Sequence, residues 1–119
     1  MIIKQLSLKN YRNYKSLDLN LSDKLNIIIG DNAQGKSNIL EAIVVLALTK
    51  SYENIRDRDL IFDGESYAFL TASIIDKGSK LNLSVSFDGT NKKLKIDNLE
   101  VKKFSDYLCK FGFVLFSPN

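Results

Sequence analysis

Apolar and polar positions alternate, then run together, then take up a helical spacing, and each change of period along this chain predicts an element. Ile2 to Leu8 ends in alternation at Leu6 and Leu8 and predicts a strand. The polar-aromatic stretch Asn10-Tyr11-Arg12-Asn13-Tyr14 predicts a turn. Ser16 to Leu21 puts Leu17, Leu19 and Leu21 on one side and Asp18 and Asn20 on the other, the pattern of a half-buried strand. After the turn Ser22-Asp23-Lys24, Leu25 to Ile29 is continuously apolar and predicts a fully buried strand. From near Lys36 the period becomes helical, with Ile39, Leu40, Ile43, Val44, Ala47 and Leu48 recurring at helix spacing. Val45 and Leu46 extend the apolar surface nearly all round. That predicts a helix buried between a sheet and other elements, ending between Thr49 and Tyr52.

The second half reads as mainly β. Asn54 to Ile61 is charged and predicts a short helical turn, with a turn at Asp63-Gly64 after it. Tyr67 to Ile75 predicts a strand, followed by the turn Asp76-Lys77-Gly78-Ser79. Leu81, Leu83, Val85 and Phe87 alternate strictly with polar residues, and Asp88-Gly89-Thr90-Asn91 has hairpin-loop chemistry. Lys92 to Ile96 should pair back with Leu94 and Ile96 inward, and Asp97-Asn98 should turn the chain again. Val101 to Phe111 fits a helix with Phe104, Tyr107, Leu108 and Phe111 on one face. Phe113 to Phe116 is a last buried strand, and Ser117-Pro118-Asn119 begins a turn.

Composition narrows the classes. With 119 residues, 45% hydrophobic and 26% charged, the chain suits one domain with a modest core. A net charge of +3 permits a nucleic-acid partner without arguing for one. The single cysteine, Cys109, excludes an internal disulfide and reads as a small buried helix residue. The lack of histidine removes the commonest metal ligand and general base together. Lys4, Lys9 and Arg12 interrupt any signal-peptide pattern, and the longest apolar run, Ala42 to Leu48, is too short to span a bilayer. The expectation is a soluble cytoplasmic protein with no membrane role.

The chemistry concentrates between the buried strand and the helix. Gly30-x-x-x-x-Gly35-Lys36-Ser37 is the P-loop pattern, in the strand–loop–helix context it requires. Gly30 and Gly35 can take positive φ and let a phosphate lie against bare backbone. Successive loop N–H groups then form an anion-binding nest, extended by the unpaired donors at the helix start. The candidate nucleotide contacts are Gly30, Asp31, Asn32, Ala33, Gln34, Gly35, Lys36, Ser37 and Asn38. Lys36 is expected on the β- and γ-phosphates of ATP, and the Ser37 hydroxyl on Mg²⁺.

Other signals are weaker. A P-loop enzyme needs a further acid at the end of an apolar strand, and Asp76 and Asp63 each end such a run. Both precede turn residues, as antiparallel strands often do. Asn91-Lys92-Lys93-Leu94 imitates a guanine-reading stretch but has Leu94 where an acid must stand. Lys77, Lys80, Lys92, Lys93, Lys95, Lys102 and Lys103 gather on the β-rich part and the helix after it. They are either a DNA-phosphate surface or a solvated face that protects strand edges.

These motifs resemble the RecF family of bacterial recombination-mediator ATPases and, more distantly, the heads of SMC-type and ABC-type ATPases. The resemblance is carried by Leu8-Lys9-Asn10-Tyr11-Arg12-Asn13-Tyr14 and by Gly30 through Ile43. Leu46-Ala47-Leu48-Thr49-Lys50-Ser51, Asp59-Leu60-Ile61 and Val114-Leu115-Phe116-Ser117-Pro118 extend it to the whole chain. It implies an α/β P-loop fold of ABC/SMC-head type: an N-terminal lobe with a mixed sheet, the P-loop helix and an antiparallel β subdomain. Residues 1–62 would form the P-loop half, 63–112 a β-rich insertion and helix, and 113–119 the start of a further core strand. The resemblance further implies DNA binding at single/double-strand junctions and gaps, help in recombinase loading, a place in the SOS response, other recombination-mediator proteins as partners, and an ATP-dependent homodimer. By the same resemblance Arg12 would reach the nucleotide phosphates, whereas the residues alone also allow a turn arginine in a surface pair. The family's helical arm, signature stretch and Walker B strand would lie beyond Asn119, making this an ATP-binding lobe of a longer chain. Two departures stand out. Tyr52-Glu53-Asn54 replaces the usual His-Arg-Thr, and Asn119 stands where an acid is usual. Another SMC-like head, or a small stand-alone P-loop phosphotransferase using Asp76 or Asp63, is the alternative.

Overall fold

The computed structural model describes residues 2–20, 33–50, 55–76 and 78–111, and the side chains of all of these but 2, 33–37, 76 and 108–111. The apolar stretch Leu25–Ile29, the motif residues Gly30, Asp31 and Asn32, the departure Tyr52-Glu53-Asn54, and Phe113–Asn119 lie outside the described residues.

Strand β1 (Ile2–Tyr11) turns at Arg12-Asn13 into β2 (Tyr14–Asn20), and Tyr11 faces Tyr14 across the turn. Helix α1 (Ala33–Leu48) and the single-turn α2 (Asp57–Leu60) follow. Then come β3 (Ala68–Asp76), β4 (Ser79–Phe87), β5 (Lys92–Ile96), β6 (Leu99–Val101) and helix α3 (Phe104–Phe111). Among the described residues six strands form one sheet in the order β2-β1-β3-β4-β5-β6, and every pairing there is antiparallel. β3 pairs with β1 from Ile75 to Phe69, so the boundary at 62/63 falls within one continuous sheet.

The alternation read from the sequence becomes the two faces of this sheet. Leu6, Leu8, Tyr11, Ala68, Leu70, Ala72, Ile74, Leu83, Val85, Phe87 and Leu94 are buried on the inner face. The outer face is polar: Ser7 donates to Asp18 across β1 and β2 at 2.6 Å, and Ser73 to Asn82 across β3 and β4 at 2.7 Å. One packed and one solvated face is the common condition of antiparallel sheets. Two-residue and tight loops follow their chemistry. Asp97 and Asn98 both have positive φ, 51° and 69°, as a primed hairpin turn requires. Asp88 accepts the backbone N–H groups of Asn91 and Thr90, and those bonds hold its carboxyl below the ordinary range.

Helix α1 covers the inner face, with Ile39, Ala42, Ile43, Val45, Leu46 and Ala47 buried, and packs on β3, β4 and α3. Its direction follows from what it touches. Asn38 and Glu41 meet the β1–β2 turn, Leu46 meets Tyr107 of α3, and Thr49 meets Lys92 of β5. The rise from Glu41 to Thr49, about 12 Å, matches the interstrand steps from β1 to β5, about 14 Å. The helix therefore crosses the strands, at the end of the sheet where β1 turns. It stops at Thr49, which takes φ 64° with its N–H on the Val45 carbonyl at 2.7 Å, a left-handed cap usually given to glycine.

Three expectations need correction. The helix begins at Ala33, not near Lys36, so the motif's second half is already helical backbone. Val101 does not open the last helix: Leu99–Val101 form β6, because the Asp97-Asn98 turn directs them back along β5 before α3 starts at Phe104. Phe104 is 44% exposed rather than buried, while Tyr107 is fully buried and donates its hydroxyl to the Leu46 carbonyl at 2.6 Å. Burial holds the Tyr107 phenol well above its usual titration range, so it remains a donor.

Candidate nucleotide-binding site

Of the motif residues, the backbone of Ala33, Gln34, Gly35, Lys36 and Ser37 forms the start of α1, and Asn38 is the first whose side chain is described. Asn38 Nδ2 donates to Asn13 Oδ1 at 2.9 Å. One turn further along, Glu41 receives Arg12 side-on: Nε donates to Oε1 at 2.9 Å and Nη2 to Oε2 at 2.8 Å. Residues three apart share a helix face. The turn Arg12-Asn13 is thus seated on the opening turns of the helix that grows out of the phosphate-loop motif.

Glu41 is the buried end of this pair, 2% exposed against 27% for the Arg12 side chain. Tyr11 Oη donates to the same Glu41 Oε1 at 2.7 Å. Burial, and then the bond to Glu41, pushes the Tyr11 phenol far up, so Tyr11 stays a neutral donor at any working pH. A buried carboxylate among Ile39, Ala42 and Ile43 is tolerable only when paired and hydrogen-bonded, and this one is both.

The backbone beneath Arg12 is strained. Two-residue hairpin loops need positive φ at their first position, which Gly, Asn or Asp normally fills. Here Arg12 takes φ 55°, after Asn10 at φ 56°. Segment Leu60–Phe62 holds that geometry: Arg12 N–H donates to the Leu60 carbonyl at 2.7 Å and Phe62 N–H to the Asn10 carbonyl at 2.8 Å. Strain kept in place by surrounding bonds is characteristic of functional turns.

The remaining sequence candidates separate. Asp76 ends β3 at the far side of the sheet from Tyr11, roughly 25 Å along the strand. Asp63 is exposed in a turn just after the isolated bridge between Ile61 and Tyr11. Neither sits at the end of a buried parallel strand, the setting a metal-holding acid of this class needs. Lys92 leaves the lysine cluster as well. It lies on the inner side of β5, where its ammonium is bonded to the Thr49 carbonyl at the end of α1 and paired with Asp57 at 3.0 Å. Lys93 and Lys95 point the other way, opposite Ser86 and Ser84. Glu41 and Asn13 were within reach of the sequence, since a single acid on an otherwise apolar helix must find a cation, but nothing local says which one.

The fold is that of a P-loop ATPase domain. Residues 1–112 match the family described as AAA ATPase domain, and the chain belongs to that family. It is 42% identical over all 119 residues to the DNA replication and repair protein RecF of Bacillus cytotoxicus and to that of Bacillus mycoides. The chain spans about a third of those relatives, 32% of each. Among solved structures it superposes on the recombination mediator protein RecF with ATP at a TM-score of 0.86 and 30% identity, over 98% of this chain and 32% of that one. It also superposes on the SMC head domain from Thermotoga maritima at a TM-score of 0.75 and 22% identity, over 92% of this chain and 42% of that one, a likeness of fold alone. The expected ABC/SMC-head architecture therefore holds.

Proposed function

We propose that this chain is the ATP-binding lobe of a RecF-like DNA replication and repair protein. The observation that carries the reading is the seating of the Arg12-Asn13 turn on the helix that begins in the phosphate-loop motif. The donors fit a polyphosphate: helix-start N–H groups, the Lys36 ammonium by its place in the motif, and a guanidinium held one turn away. Mg²⁺, held by the Ser37 hydroxyl, would neutralise charge on the β- and γ-phosphates. The whole protein would bind DNA at junctions and gaps, dimerise through ATP, and act with other recombination mediators in loading recombinase, in the cytoplasm. Among the described residues no helix is long and apolar enough to cross a membrane.

The test is a thermal shift. ATP with Mg²⁺ should raise the melting temperature, since a ligand bound only to the folded state stabilises it by mass action. Lys36→Ala should weaken binding by roughly 1.5–3 kcal/mol, the worth of a charge-assisted bond to phosphate. An unchanged shift in that variant would remove the P-loop assignment.

A second expectation concerns DNA. Lys93 and Lys95 stand on the open polar face, where Lys9 and Lys80 also lie. Reversing Lys93 and Lys95 to Glu in the full-length protein should flatten the salt dependence of DNA binding by about 2 in log–log slope. Lys92 is omitted from the variant because its charge holds α1 to β5. Equal slopes for variant and wild type would make these lysines a solvated face.

A further inference from the structure

We propose that the open face of the sheet seats unpaired DNA bases, which stack on Tyr67 and Phe69 while Lys9 and Lys93 meet the flanking phosphates. The inference rests on the reading that the whole protein binds DNA, and it adds the form of strand and the residues that meet it.

Two large rings are out of place on a face otherwise built for water. Ala68, between them, is fully buried, so Tyr67 and Phe69 both stand on the opposite, open side, each 39% exposed. Their neighbours on that side are small and polar: Thr71, Ser73, Ser84 and Ser86. A face needing only solvation would continue that series. The register sets Phe69 in a row that crosses four strands, Lys9–Phe69–Ser86–Lys93. Three interstrand steps separate its two lysines, about 14 Å, a span that a single strand of DNA covers in a few nucleotides. The Lys9 ammonium also lies 5.6 Å from the centre of the Tyr67 ring. Cation and stacking surface are thus presented together, the combination with which proteins hold single strands.

Beside Tyr67 opens a cleft of about 570 Å³, with Ser86, Asn91, Lys93 and Glu100 on its walls. That volume is in the range of small-ligand clefts, and the Ser86 hydroxyl and Asn91 amide offer hydrogen bonds to a base edge. Asp88, also on the wall, spends its carboxylate on the N–H groups of its own loop. Charge agrees with a polyanion. Among the described strand residues this face carries Lys9, Lys80, Lys93 and Lys95 against Asp18 and Glu100. Asp18 accepts the Ser7 hydroxyl, and Glu100 stands opposite Lys95. A duplex would use only the lysines, because its bases stack on one another and show the grooves nothing but their edges. Exposed rings on a flat sheet gain from bases whose faces are free.

The experiment is fluorescence-anisotropy titration of the full-length protein with a short oligothymidylate, an abasic strand of equal length and charge, and a duplex. Wild type is expected to bind the thymidylate on the order of tenfold more tightly than the abasic strand. Tyr67→Ser and Phe69→Thr should each weaken the thymidylate on the order of tenfold and leave the duplex affinity and the salt slope unchanged. Tyr67→Phe keeps the ring and should bind as wild type does. Equal wild-type affinities for thymidylate and abasic strands would overturn the proposal without any variant, so a substitution that fails to fold does not shelter it. Ring variants that weaken thymidylate and duplex alike would overturn it too, as would a loss in Tyr67→Phe as large as in Tyr67→Ser. The Lys93 and Lys95 reversal separates the two readings. If it flattens the salt slope while thymidylate and abasic strands bind alike, only the stacking falls. If no probe binds, the DNA reading falls, and this proposal with it.

Discussion

The 119-residue chain on its own is expected to bind ATP without releasing measurable phosphate. Phosphoryl transfer needs phosphates held, metal held, water oriented and developing charge stabilised, each by a positioned group. The motif supplies the first, and Ser37 supplies part of the second. There is no histidine to act as a base. Asp76 lies at the far end of β3 from the Arg12 turn, and Asp63 is exposed in a turn with Gly64 rather than a glutamate after it. The RecF resemblance implies that the missing donors come from a Walker B strand and from a second head across a dimer. Each such electrostatic group, when absent, costs on the order of 10²–10³ in rate, and neither Asp76 nor Asp63 is placed to supply one. A phosphate-release assay on the purified chain decides the point. Turnover that survives purification and disappears in Lys36→Ala would overturn this expectation and favour a small self-contained phosphotransferase.

Arg12→Ala should be the most destabilising change at the site, by about 3–5 kcal/mol in denaturant unfolding. It removes the guanidinium that counters the charge of Glu41, 2% exposed, and leaves the Tyr11 hydroxyl among its neutral donors. Desolvating a carboxylate is costly, and neutral hydrogen bonds offset only part of that. Adding Glu41→Gln to Arg12→Ala should recover stability, since the stranded charge is then removed rather than unpaired. A loss below about 1 kcal/mol for Arg12→Ala would mean that the pair behaves as an exposed one, against the burial of Glu41.

How far the chain could be read without its structure depended on the distance over which each feature is decided. Strict alternation from Leu81 to Phe87, the loop acid Asp88 and the pair Asp97-Asn98 made the β4–β5–β6 meander legible up to β6 itself. Only three residues long, β6 carries too little periodicity to be told from a helix start. The phosphate-loop motif is read directly because it lies in eight consecutive residues, Gly30 to Ser37.

The sequence by itself determined the strand faces, the main helix and the class of ligand, since period and motif spacing are local properties of a chain. Tertiary structure alone decided which cation meets Glu41 and which lysine is tied to the end of α1. Arg12 and Glu41 are 29 residues apart, and Lys92 and Thr49 are 43 apart. Those meetings exist because α1 crosses the sheet from β1 to β5, and no local pattern encodes that crossing. Arg12 and Lys92 look alike in a sequence, as cations beside turns. The opposing element separates them: Arg12 meets a buried carboxylate on α1, and Lys92 clamps the end of that helix.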